Sequence, residues 1–152
     1  MTPGRISKRV LVDRIEWIER MLARIRMLPL DDEATFLADV RNEGAAESYL
    51  RRALEALLDL GRHILARGFG QGVTEYRQIA RQLARHQVLI AHEADLLEEM
   101  AGYRNRMVHF YHEISSMELF AICANQLDDV EQVLDGLKRW IREHPDRLDE
   151  QI

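Results

Sequence analysis

The chain has 152 residues, 47% of them hydrophobic and 31% charged, which excludes a disordered chain and suffices for one domain with a buried core. Nothing approaches the roughly 18 uninterrupted apolar residues that a membrane helix needs, and the formal charge of −5 argues against a uniformly basic nucleic-acid binder. The one cysteine, Cys123, offers no internal disulfide, and Met1 to Arg5 lack an apolar signal core, so the expectation is a cytoplasmic protein without a membrane anchor.

In chain order the apolar spacing is helical throughout. Leu11, Ile15, Ile18, Leu22 and Ile25 form the face of a first helix from about Ser7 to Leu28, which Pro29 ends. Asp31 or Asp32 can cap a short second helix from about Asp32 to Arg41. Asn42-Glu43-Gly44 reads as a bend, followed by a long helix from Ala45 to about Arg67 whose stripe includes Leu50, Leu54, Leu57, Gly61 and Ile64. The glycine-rich run from Gly68 to Gly72 lacks a phosphate-loop pattern and a preceding strand, so it reads as a helix-closing loop. Thr74 is the expected cap of a fourth helix reaching about Gln87. After the apolar junction Val88–Ala91 comes a fifth, with Leu96, Leu97, Met100 and Tyr103. Ser115-x-x-Glu118 is a capping-box pattern that opens the last helix, which carries Leu119 through Ile141 to a stop at Pro145 and a polar tail. The expectation is one domain over residues 1–152, an all-α antiparallel bundle of about five to six helices.

Residues able to do chemistry crowd into Arg104-Asn105-Arg106-Met107-Val108-His109-Phe110-Tyr111, with His112 and Glu113 behind. At about 100° per residue, Arg104 and Tyr111 share a helix face, whereas Arg104 and His109 diverge by about 140°. Both can act on one group if the helix bends near His109, or if a second copy of the chain supplies half the site. A helix that stops and restarts between His109 and Ser116 would provide the bend.

Histidine exchanges protons near neutral pH, and arginine stays charged and offers donors that match phosphate oxygens. Asparagine can orient either one. Together they suit metal-free RNA cleavage, in which a base removes the 2′-OH proton and a cation stabilises the charge that builds on the phosphate. DNA has no 2′-OH, so this chemistry selects RNA. No cofactor is called for. His109 and His112 lack a further ligand pair to complete a metal site, and Glu113 alone is weak evidence for one.

The run Arg104 to Tyr111 resembles the R-x-x-x-x-H-x-Y signature of the HEPN-domain ribonuclease toxins, in their HepT-like branch. The arginine-rich first helix and the stretch from Leu58 to Leu65 extend the likeness over most of the chain. The resemblance implies a HEPN-like symmetric homodimer, or a higher oligomer, whose motif helices face each other across an RNA-binding cleft. It implies Arg104 and His109 as the catalytic pair and Asn105 and Tyr111 as supporting residues. It also implies a partner, a minimal nucleotidyltransferase antitoxin, that neutralises the toxin by attaching AMP to Tyr111. Phe110 departs from the family pattern, which usually carries a small or polar residue there.

Charge is unevenly spread. From Gly61 to His86 there are Arg62, Arg67, Arg77, Arg81 and Arg85 against Glu75 alone, which could form a basic groove or simply a solvated face. Cys123 fits a core stripe better than a nucleophile, and His63, His86, His92 and His144 have no obvious partners. The plain alternative for the motif is that Arg104 pairs with a carboxylate and His109 caps a helix. The competing function is a non-catalytic helical module that binds a nucleotidyltransferase.

Overall fold

The computed structural model describes residues 4–149; the side chain of Tyr111 lies outside the described residues. The described residues form seven α-helices: α1 Lys8–Arg26, α2 Glu33–Ala38, α3 Val40–His63, α4 Tyr76–Arg85, α5 Ala91–His109, α6 Ser116–Asn125 and α7 Leu127–Glu143. The fold is the all-α antiparallel bundle expected, with more helices than the sequence suggested.

Helix α1 begins where Ser7 Oγ accepts the Val10 N–H at 3.3 Å, and its buried face of Leu11, Ile18, Met21, Leu22 and Ile25 lies along α3. The Ser7 N–H itself donates to Nε2 of His63 at 3.2 Å. His63 thus has a partner that the sequence did not reveal. Burial and the nearby Arg67 and Arg14 push its pKa below the usual histidine value, consistent with a neutral acceptor ring.

The bend expected at Asn42–Gly44 does not exist. Asp39 Oδ1 accepts the Arg41 N–H at 2.9 Å and starts α3 at Val40, and Asn42 Nδ2 donates to the Phe36 carbonyl at 3.2 Å, tying α2 to the new helix. Gly44 sits inside α3 on its exposed side, where a glycine costs helix propensity but breaks no packing. The end of α3 passes into a π-helical turn, Ile64–Gly68, and the Gln71 N–H returns to the Leu65 carbonyl at 3.0 Å with Gly70 at φ 64°. The glycine run is therefore a helix-closing loop.

Gly61 sets how closely α4 approaches α3. A Cβ there would lie 2.8 Å from Leu83 Cδ1 and 3.0 Å from Ile79 Cγ2, so both α4 side chains rest on bare backbone. Thr74 does not cap α4. Glu75 holds the cap position without a side-chain bond, and the Thr74 carbonyl instead accepts from Arg62 Nη2 at 3.2 Å.

The last helix expected from Leu119 to Ile141 is two. Gln126 leaves helical geometry at φ −121°, ψ 7°, and α7 restarts at Leu127. The expected polar tail folds back: Ile6 and Leu148 form a parallel bridge, with the Ile6 N–H on the Arg147 carbonyl at 2.8 Å and the Asp149 N–H on the Ile6 carbonyl at 2.9 Å. Trp140 is buried and stacked on His144, so it belongs to the core rather than the bundle rim. Cys123 is buried too, and burial pushes its thiol up to about 12, as a core residue should behave. Among the described residues no helix is long and apolar enough to cross a membrane.

Candidate functional site

Three elements build the site. Helix α5 supplies Arg104, Asn105 and His109 from its last turns, α3 supplies Arg62, and the start of α4 supplies Tyr76 and Arg77. With Thr74, Glu75 and Phe110 these residues line one open cavity of about 540 Å³. Arg104, Asn105 and His109 therefore meet the same space within one chain. The break in the chain follows His109 rather than preceding it: α5 runs through His109, Phe110 ends it, and Tyr111–Glu113 form a single 3-10 turn before α6. The break thus lies between His109 and Ser116, as expected, and Arg104 and His109 border the same cavity without it turning either side chain.

Two contacts hold that break in place. Ser115 Oγ accepts the Glu118 N–H at 3.1 Å, which is one half of the capping box. The other half is absent because the Glu118 carboxylate takes a bidentate pair from Arg106, at 2.6 and 2.9 Å. That pair spans the turn and holds the Glu118 carboxyl below its usual range. Arg106, which the motif reading passed over, thus fixes the exit of the motif helix.

Arg104 is mostly covered, with 18% of its side chain exposed. Its Nε donates to Glu55 Oε1 at 3.4 Å and its Nη1 to Asn105 Oδ1 at 3.3 Å. Its Cζ lies 4.4 Å from the centre of the Tyr76 ring. The plain expectation of a carboxylate partner is thus met by Glu55 on α3. The contact uses one nitrogen at long range, and Glu55 also lies 3.8 Å from Arg51, so Arg104 is not locked in a two-pronged pair. Asn105 is thus in hydrogen-bond contact with Arg104. His109 and Phe110 are exposed, and Tyr111 follows in the adjoining turn, its side chain outside the described residues.

The basic groove is smaller than the run of arginines implied. Arg62, Arg77, Arg104 and His109 face the cavity against Glu75, but Arg81 pairs with Glu98 at 3.1 Å and Arg67 donates to the Arg5 carbonyl. In the first helix, Arg26 pairs with Glu131 of α7 at 2.7 Å. Sequence reasoning offered Arg62 only as part of a possible basic groove and did not place it or Tyr76 beside Arg104. They stand 42 and 28 positions before Arg104, and no local spacing signals that α3 and α4 bring them beside it.

The family profile described as ribonuclease HepT-like matches residues 15–137. The chain belongs to the HepT-like ribonuclease family. This HepT-like chain is 28% identical over 130 residues to an mRNA nuclease HepT of Shewanella oneidensis, covering 85% of the chain and 96% of that protein. It is 27% identical over 115 residues to a tRNA nuclease HepT of Aphanizomenon flos-aquae, covering 73% and 76%. A solved structure of the Shewanella oneidensis HEPN toxin, tri-AMPylated and in complex with its MNT antitoxin, superposes with a TM-score of 0.77 at 26% identity, over 86% of the chain and 97% of the toxin. The cytosolic protein YutE of Bacillus subtilis, of unknown function, shares the fold at a TM-score of 0.75 and 18% identity, over 92% and 94%.

Proposed function

We propose that this HepT-like chain is a metal-independent RNA endonuclease and the toxin of a toxin–antitoxin pair, acting in the cytoplasm. The observation that carries the catalytic assignment is the convergence of Arg104, Asn105 and His109 on one cavity bordered by Arg62 and Arg77. In the reaction, the His109 imidazole takes the proton from a ribose 2′-OH. The freed oxygen bonds to the adjacent phosphorus, the phosphorus–5′-oxygen bond breaks, and the departing oxygen takes up a proton. The products are a 2′,3′-cyclic phosphate and a 5′-hydroxyl. Arg104 meets the negative charge on the phosphate oxygens as the new bond forms, and Asn105 holds one guanidinium nitrogen in place. The resemblance of the motif to that of the HEPN toxins supports a symmetric homodimer in which the motif helices of two chains face each other across the cleft.

Control of the activity falls to a nucleotidyltransferase antitoxin, which adds AMP to Tyr111. The added phosphodiester brings negative charge into the turn that follows the catalytic helix, next to the arginines that would bind RNA. It occupies the cleft as a mimic of the substrate backbone. The Shewanella oneidensis relative, tri-AMPylated and complexed with its MNT antitoxin, supports this reading.

Intact-mass measurement on the chain expressed with and without a cognate nucleotidyltransferase tests the control. The expected result is a gain of one or more AMP units that disappears in Tyr111→Phe. An unchanged mass in a stable complex would instead favour inhibition by binding. The second reading, a non-catalytic partner of a nucleotidyltransferase, draws on the Arg104–Glu55 pair, which gives Arg104 a structural role. That reading requires His109→Ala to leave function intact.

A further inference from the structure

Tyr76 carries two arginines on one ring. Its centroid lies 4.4 Å from Arg104 Cζ and 4.8 Å from Arg62 Cζ. We propose that Tyr76 is the positioning residue for Arg104 in RNA cleavage, holding the guanidinium beside the phosphate site and out of a two-pronged pair with Glu55. The proposal rests on the reading of Arg104 as the cation that stabilises the reacting phosphate.

An arginine side chain is long and flexible, and a carboxylate in reach draws its planar fork into a bidentate pair. Arg106 shows that outcome in this chain, with both terminal nitrogens on Glu118. Arg104 does not, although Glu55 is in reach. Only its Nε contacts Glu55, at 3.4 Å; Nη1 bonds Asn105, and Nη2 takes part in neither bond. Arg51 shares Glu55 and Asn105 takes Nη1, and beneath Arg104 lies the Tyr76 ring. An aromatic face attracts a guanidinium through its quadrupole without consuming N–H donors, so the donors stay directed to what enters the cavity. A carboxylate pair would consume them and cancel the charge.

The ring is itself held. Arg62 packs on it while donating from Nε to the Val73 carbonyl at 3.1 Å, from Nη2 to the Thr74 carbonyl at 3.2 Å and from Nη1 to Asp59 at 3.3 Å. Arg62 thereby ties the segment that leads into α4 to α3. The close approach of α4 to α3 over Gly61 fixes the same helix from its other end. Arg62, with its donors committed to the protein, acts through Tyr76, and Arg104 is left to face the substrate.

Both guanidinium contacts are to the ring, so phenylalanine should replace tyrosine and an aliphatic residue should not. Single-turnover and steady-state cleavage of a single-stranded RNA would be compared in wild type, Tyr76→Phe, Tyr76→Leu, Tyr76→Leu/Glu55→Gln and Arg104→Ala. The expected result is Tyr76→Phe within about threefold of wild type, and Tyr76→Leu about 10- to 100-fold slower in kcat with a smaller change in KM, because misplacement of a transition-state group acts on kcat. Glu55→Gln in the Leu background should recover part of the loss, since the competing carboxylate is gone; a Leu variant slowed merely by poor folding would not recover. Wild-type kcat in Tyr76→Leu, an equal loss in Tyr76→Phe, or no recovery in the double variant would each overturn the positioning role. An active Arg104→Ala would instead overturn the catalytic reading beneath it.

Discussion

Replacing His109 with alanine should abolish most RNA cleavage, lowering kcat by about 10²- to 10⁴-fold, the usual worth of a general base. The fold should be unaffected. His109 is exposed at the last position of α5, and the buried core makes no use of its ring. Arg104→Ala should be as damaging to activity, by removal of the charge that meets the phosphate, with a somewhat larger structural effect because Glu55, Asn105 and Tyr76 all lose a partner. If two chains share each cleft, mixing the two inactive variants should restore cleavage, because one of the mixed clefts holds an intact histidine and an intact arginine facing each other. No recovery on mixing would assign both residues of each site to one chain. Wild-type cleavage in His109→Ala would overturn the role of His109 as the base, whereas no cleavage by the wild-type chain together with full nucleotidyltransferase affinity in His109→Ala would favour the non-catalytic alternative.

The largest stability effect should come from a glycine far from the cavity. Glu93 on α5 is 7% exposed and takes two bonds from Arg139 on α7, at 2.7 and 2.8 Å, while Oε1 also accepts the Ile90 N–H at 3.1 Å. Its hydrogen bonds with Arg139 hold its carboxyl below the usual glutamate range. The carboxylate lies against Gly136, where a Cβ would come within 2.6 Å of Oε1 and 2.7 Å of the carboxyl carbon. Gly136→Ala must therefore shift the Glu93 carboxylate, and because Arg139, with 37% of its side chain exposed, can follow it in part, the weakened pair costs about 1–3 kcal/mol. For a chain of this size that corresponds to a fall in Tm on the order of 2–12 °C. Thermal unfolding of the purified variant measures it. Alanine normally favours a helix over glycine, so an unchanged or raised Tm would show that Glu93 can move without loss.

What the sequence made legible was local. The apolar stripe of α1, the Ser115 cap and the clustering of Arg104, Asn105 and His109 all depend on spacing within a few turns, and all appear in the structure. The failures come from side-chain contacts that composition and apolar period do not register, some within a few residues and some between distant segments. Asn42-Glu43-Gly44 looks like a turn by composition, yet Asp39 caps the helix earlier and Asn42 bonds the preceding helix, so the segment stays helical. The period of apolar residues runs straight through Gln126, so the break between α6 and α7 left no trace in it. Glu118 matched a local capping box, but Arg106, twelve residues earlier, claims its carboxylate. Tyr76 carries no local signal of a site residue, and its place beside Arg104 depends on the packing of α4 over Gly61 and on Arg62 holding the preceding loop. Three of the histidines assigned no partner have one: His63 at Ser7 and His86 at Gln71 across the fold, and His144 at the Trp140 carbonyl one helical turn back.

The measurement that bears most directly on the account is cleavage of one RNA oligonucleotide compared with the same oligonucleotide carrying a single 2′-deoxy nucleotide immediately 5′ of the cut, each with and without a chelator. The account predicts cleavage of the all-ribose strand to a 2′,3′-cyclic phosphate and no cut at the 2′-deoxy position. Cleavage at that position, or loss of all cleavage when the chelator is added, would contradict the assignment of Arg104 and His109 to metal-independent attack by the ribose hydroxyl.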